Sequence, residues 1–375
     1  MQTTFPDDPR ATYDALRSRP LAPDERGQWV ICRHADVVRV ATTPEDFSSA
    51  VSRFLQVPNG LDGSTHAHAR ALLDPFFAPA RMSVLEPVLR QIAQELIAAL
   101  PRATEFDAVA DLGARYAVRA QSVWLGWPAD LEQDLLAWMD DNHAASRSGE
   151  LEATTAVAER FDAIIRSVVA PRRAAGASAP DDVTTELVRL RDADGAPLPD
   201  DVLVSILRNW TGGDLGSLAL CAGVLAYWLA SHPELQDDLR GAGDRDLVAA
   251  IDEILRIDDP FVSNRRVATG EVHLRSATVA PGDRVVLNWT AANRDPEVFG
   301  DPDAFDPHGH AAANLVYGIG PHVCPGRPLA TVELKVLVRA LLDAGQLRLA
   351  PDRLPEREQP PVGGFASVPV VLSAG

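Results

Sequence analysis

Apolar residues recur every three to four positions through most of 65–230, the period of amphipathic helices packed on a core. The runs break at Pro75 and Pro79, at Pro101, at Trp127-Pro128 and at GASAPDD, which reads as a loop before a helix capped by Asp182. Residues 200–230 read as one helix, on the order of 45 Å long by the helical rise, ended by Ser231-His232-Pro233. Gly212 and Gly213 lie inside it at roughly 1 kcal/mol each, so a local reason for a thin or deformable helix is expected there. The flanks have a different rhythm. Before about residue 55 a helix (Pro9–Arg17), a strand (29–32) and a helix (35–42) are expected. After about residue 260 the strands Val272–Leu274, Arg284–Asn288, Gln346–Leu349 and 368–372 alternate with Pro-, Gly- and Asp-rich connections. The expectation is a mainly α chain with a smaller β region (α+β), one interleaved domain over 1–375. A sheet-rich lobe at about 1–55 is joined by the returning C-terminal strands, and the helical lobe covers about 65–260.

Composition alters this little. Hydrophobic residues at 46% and charged residues at 23% are ordinary globular usage, and 375 residues suit an enzyme built around one buried cofactor. Charge excludes more: Asp+Glu 53 against Lys+Arg 35 gives a net charge of -18, which repels a phosphate backbone, so no nucleic-acid partner is expected. MQTTFPDDPR has no leader pattern, and the apolar run 218–230 is short for a bilayer, so a soluble, cytoplasmic chain without a membrane partner is expected.

The three cysteines, Cys32, Cys221 and Cys324, match neither a disulfide framework nor a Cys-x-x-Cys zinc site. Cys32 in strand-like WVICRH and Cys221 in helix-like LALCAGVLAYWLA read as small buried hydrophobes. Cys324 lies between glycines in YGIGPHVCPGR, which runs into an apolar helix over 328–342. Glycines permit tight turns beside a bulky ligand, and free N–H groups at a helix start favour an anionic sulfur. A thiolate ligand needs that environment; the alternative is a free cysteine in a glycine-rich loop.

Other segments decide between these. Glu253 and Arg256 share a helix face and can pair. They are followed by Arg266-Val267-Ala268-Thr269, by ANRDPEVF (292–299), and by Pro302 and Phe305-Asp306. Upstream, in DGSTHAHAR, His66 and Arg70 lie one turn apart and can point at one anionic group. In this order, and with the cysteine loop, the series resembles the soluble bacterial-type cytochrome P450 family over nearly the whole chain. Tyr317 stands where that family usually has Phe. The resemblance implies the P450 fold, a triangular helical prism holding haem b (iron protoporphyrin IX) between the long central helix and the helix after the cysteine loop. It makes Cys324 the axial ligand to iron, whose thiolate favours O–O cleavage. It sets Tyr317, Gly318 and Gly326 against the haem and His66, Arg70, Arg266 and His322 on its propionates, His68 being the alternative contact. It makes Glu253–Arg256 a structural ion pair.

The long helix departs from the family, whose Ala-Gly-x-(Asp/Glu)-Thr places an acid beside an alcohol that helps deliver protons. Counting back without gaps from His232-Pro233 puts Ser217 on the alcohol and Gly216 on the acid. Sliding the match puts Asp214 on the acid but Leu215 on the alcohol. The first is preferred because Ser217 keeps a hydroxyl. Asp214, one turn before Ser217, could supply the carboxylate through water, or could pair with a nearby Arg. The family's substrate segments correspond to 50–60, 138–153, 261–264 and 362–367, with Phe261, Val262, Val362 and Phe365 as an apolar wall. The first two are short, which suggests a reduced lid.

The expected function is a monooxygenase that inserts one oxygen atom of dioxygen into a small or medium hydrophobic substrate, by hydroxylation or dealkylation. Electrons are expected from a separate ferredoxin and ferredoxin reductase, or another separate donor, with Arg81 and Arg327 as docking candidates. A monomer is expected. The alternatives are a peroxide-using P450, one that couples or rearranges without inserting oxygen, and a haem sensor without activity.

Overall fold

The computed structural model describes residues 8–373 apart from 19, 20, 193 and 276. Residues 1–7, within which the leader would begin, lie outside the described residues.

The chain opens with α1 (Pro9–Arg17), β1 (Trp29–Ile31), α2 (His34–Thr42) and β2 (Phe47–Ser48). The helical part follows as α3 (Gly63–Leu73), α4 (Pro79–Ala99), the short strand β3 (Glu105–Asp107), α5 (Arg115–Leu125), α6 (Glu132–Ser148) and α7 (Leu151–Ala175). It continues through α8 (Val183–Arg189), α9 (Asp200–Ser231), α10 (Pro233–Gly241) and α11 (Asp244–Ile257). The return brings β4 (Ser263–Ala268), β5 (Val272–Leu274), β6 (Ala277–Val279), β7 (Arg284–Asn288), α12 (Trp289–Ala292) and α13 (Pro296–Phe299). After a long connection come α14 (Arg327–Ala344), β8 (Gln346–Leu349), β9 (Glu356–Arg357), β10 (Phe365–Ser367) and β11 (Pro369–Ser373).

Local chemistry accounts for the boundaries. Asp182 accepts from the Thr185 amide at 2.7 Å and starts α8. Gly126, at φ 74, ends α5 in the left-handed conformation. Proline 233 opens α10 and stops α9, whose buried residues face neighbours on nearly every side. By length and apolarity α9 could cross a bilayer, but most of it is buried within the fold as the core helix.

The sheets tie the two ends of the chain together. In β1-β7-β4-β2, β1 runs parallel to β7 while β4 is antiparallel to both β7 and β2. β11 lies antiparallel between β3 and β8. One large apolar cluster spans α3 through α11, α14 and β11, and a second lies under the first sheet. β4 was not anticipated as a strand: SNRRVA carries little apolar signal, and its pairing with β7 and β2 sets its conformation.

Candidate active site

A cavity of about 290 Å³ lies between α9 and the start of α14. The cysteine loop forms one wall. Gly320 adopts φ 77, and a Cβ there would come within 2.9 Å of the Ala41 carbonyl oxygen, so the turn can lean on α2 only as glycine. The Cys324 amide donates to the Tyr317 carbonyl at 2.9 Å. Burial pushes the Cys324 thiol up, while backbone N–H groups of Gly326 and Arg327 and the charge of Arg70 pull it down. Tyr317, Gly318 and Gly326 line the same wall.

His66 and Arg70 on α3, Arg266 on β4 and His322 in the cysteine loop meet on the cavity's edge. The rings of His66 and His322 lie 4.1 Å apart. Arg70 donates to the carbonyl of Val323 at 2.9 Å and pairs with Asp74. His322 Nε2 lies 3.0 Å from the Ser49 hydroxyl and 3.6 Å from Asp62. Burial, then His66 and Arg266, hold His322 down to about 4 against the pull of Asp62. Two arginines and two histidines facing one another call for an anion. His68 lies apart from them, on a second, apolar cavity between α3 and α9.

On α9, Gly213, Asp214, Ser217 and Cys221 face the cavity, while Leu215 is fully buried away from it. Cys221 is therefore a cavity residue rather than plain core. Burial raises the Asp214 carboxyl to about 7, and its Oδ2 has no hydrogen-bond partner. No ion pair of Asp214 with an arginine occurs among the described ones.

Phe261 lines the mouth and is half exposed. Val262, Val362 and Phe365 do not line the cavity. Val262, just before β4, packs with Tyr13, Cys32 and Ala291, and Phe365 at the start of β10 is fully buried against Tyr227 and under Arg357, so both side chains are spent on core contacts. Glu253 and Arg256 lie outside the cavity as a buried two-point pair at 2.8 and 2.9 Å, with Arg256 also donating to the Asn293 and Ala304 carbonyls. Segment 50–60 contains no helix or strand.

Sequence reasoning missed two buried polar residues. Gln121 on α5 lines the cavity with both amide atoms unpaired, and Glu333 on α14 is fully buried with both carboxylate oxygens unpaired. Burial and then Asp214 raise the Glu333 carboxyl well above its usual range. Each sits on an otherwise apolar helix stripe, four residues after Ala117 and Leu329, and that misplaced polarity was the available signal.

Residues 155–370 match the family described as Cytochrome P450. The chain belongs to the cytochrome P450 family. It is 30% identical to the vitamin D(3) 25-hydroxylase of Pseudonocardia autotrophica, over 98% of this chain and 95% of that one. It is 28% identical to the steroid C26-monooxygenase of Mycobacterium tuberculosis strain H37Rv, over 97% and 94%. The solved structure of a mutant of P450 EryK in complex with erythromycin B has a TM-score of 0.88 at 25% identity, covering 98% of this chain and 96% of that one. This P450 is thus an oxidoreductase that incorporates oxygen, and its family cofactor is a haem iron. The residues present fit that group: a thiol lies on one wall of the cavity, and two arginines with two imidazole N–H donors lie together where an anionic edge would accept from them.

Proposed function

We propose that this P450 is a haem-thiolate monooxygenase with haem b held by Cys324, acting on a hydrophobic small molecule with electrons from a separate ferredoxin and its reductase. One observation carries the reading: Cys324, the cations Arg70 and Arg266 and the imidazoles of His66 and His322 border one cavity, as a flat dianionic cofactor with a thiolate ligand requires. When bound, the haem supplies the dioxygen chemistry that places one oxygen atom on the substrate. The protein does the rest. Arg70 and Arg266 would hold the propionates, with His66 and His322 donating beside them. The Ser217 hydroxyl donates and accepts one proton, and Asp214, near 7, holds another within the same cavity. Phe261 guides an apolar substrate at the mouth.

The reduced protein under carbon monoxide should show the red-shifted Soret band of a thiolate-ligated haem. Its absence, or its survival in Cys324→Ser, would sink the axial assignment. Gly216 in the place of the usual acid favours a second reading, a P450 driven by peroxide. In that case product forms with hydrogen peroxide alone at a rate matching or exceeding the ferredoxin-driven one.

A further inference from the structure

The side-chain space at Gly216 is filled from another helix. A Cβ built on Gly216 would lie 3.2 Å from Nε2 of His143, on α6. One turn earlier, a Cβ on Gly212 would lie 3.6 Å from both Trp138 of α6 and Phe161 of α7, whose rings stack at 3.9 Å. Gly212 and Gly216 therefore form a bare face of α9 against which the rings of α6 and α7 pack. His143 is the titratable side chain among them. Ser217, the next residue along, lines the cavity, so the imidazole and the hydroxyl sit on neighbouring faces of α9.

We propose that His143 stands in for the missing acid: its imidazole, seated in the side-chain space of Gly216, carries protons from the solvent side of α9 to the Ser217 hydroxyl. A proton reaches one ring nitrogen from solvent, and the other nitrogen releases its own towards Ser217 through water. Exchange with solvent then restores the starting tautomer, so no charge accumulates. His143 acts through Ser217 and is a positioning residue. The inference rests on the reading of Ser217 given above. Burial lowers the His143 pKa and Arg147 lowers it further, while Glu358 and Asp140 raise it. Asp140 and Arg147 come from α6 and Glu358 from the segment after β9, where it pairs with Arg147 at 2.8 Å. The rings from α6 and α7 and the glycines of α9 are uncharged, and Asp214 lies on the cavity side of α9.

The test uses the haem-loaded protein, with NADPH, a plant ferredoxin and its reductase as the probe donor and no added substrate. NMR of labelled histidines in the reduced carbon monoxide complex should show one imidazole, lost in His143→Ala, that titrates below the usual 6.5. NADPH oxidation should fall as pH rises through that value. In His143→Ala the step should vanish, with a rate about ten-fold lower on its acid side and a larger solvent isotope effect. His143→Ala/Gly216→Asp should recover most of the rate, because the carboxylate then occupies the vacated space. An unchanged pH profile and isotope effect in His143→Ala overturn the inference. So does a double variant that keeps the wild-type Soret band and melting temperature yet recovers nothing. If the profile is lost in Ser217→Ala but kept in His143→Ala, the reading of Ser217 stands and the inference fails. The reverse result overturns the route through Ser217 and that reading with it.

Discussion

Asp252 and Glu253 are neighbours on α11 with opposite surroundings. Glu253 has both oxygens engaged, by Arg256, by the Asp306 amide at 3.0 Å and by His310 at 2.6 Å. Asp252 has one oxygen unpaired and the other 3.5 Å from the half-exposed Arg327. Burial wins over that weak attraction and raises the Asp252 carboxyl from 3.8 to about 6. The folded state therefore binds the proton more tightly than the unfolded chain. Stability from this group is greatest below pH 3.8 and is lost as pH rises towards 6, by roughly 3 kcal/mol in total at 1.36 kcal/mol per pH unit. Asp252→Asn should remove the loss. Urea unfolding at pH 7 should then show a gain of about 1–3 kcal/mol, shrinking to nothing near pH 4. A variant no more stable than the wild type at pH 7 would show that solvent reaches the carboxylate.

The cysteine loop is the element on which the site depends, and it is held by backbone conformation more than by side chains. Gly320 combines φ 77 with contact to α2, so Gly320→Ala meets both left-handed strain and a carbonyl oxygen at 2.9 Å. The cost is about 1–3 kcal/mol, and the loop can relieve it only by moving away from α2. Haem per protein chain should fall, measured by haem extraction against total protein, with helix content by circular dichroism unchanged. Full haem loading would show that the loop shifts without cost. At this scale the sequence was most informative where structure is local. The helix expected at 200–230 forms as Asp200–Ser231, because its apolar content and Pro233 act within a few residues. The strands Val272–Leu274, Arg284–Asn288 and Gln346–Leu349 form as expected. The loop glycines and the spacing of His66 and Arg70 were legible for the same reason. Which face of an apolar segment turns inward is decided by distant partners, so Val262, Val362 and Phe365 could not be sorted from cavity residues in advance. His143 gave no signal at all, since its meaning depends on a glycine across a helix interface.

For the whole molecule the question is how an electron donor approaches a protein carrying a net charge of -18. The acidic ferredoxin proposed as donor would be repelled at long range, so its docking would rely on positive groups close to the cysteine loop. Arg81 is partly neutralised, because Glu186 pairs with it at 2.5 Å. Arg327 is better placed: its side chain is 56% exposed, it lies over the Tyr317 ring at 5.0 Å, and its carboxylate neighbour Asp252 stands off at 3.5 Å, a looser contact than that of Arg81 with Glu186. Arg327 thus adds a local positive field beside the loop that carries Cys324. In stopped-flow reduction by an acidic ferredoxin, Arg327→Glu should slow the first electron by about ten-fold at 0.01 M salt, where the Debye length is about 30 Å. Raising the salt to 0.15 M, with screening over about 8 Å, should narrow the gap between variant and wild type while also relieving the general repulsion in both. Arg81→Glu should change the rate much less at either salt concentration. A gap for Arg327→Glu that does not narrow with salt would mean that the substitution acts through the Tyr317 ring and the loop beneath it, and that the donor docks elsewhere.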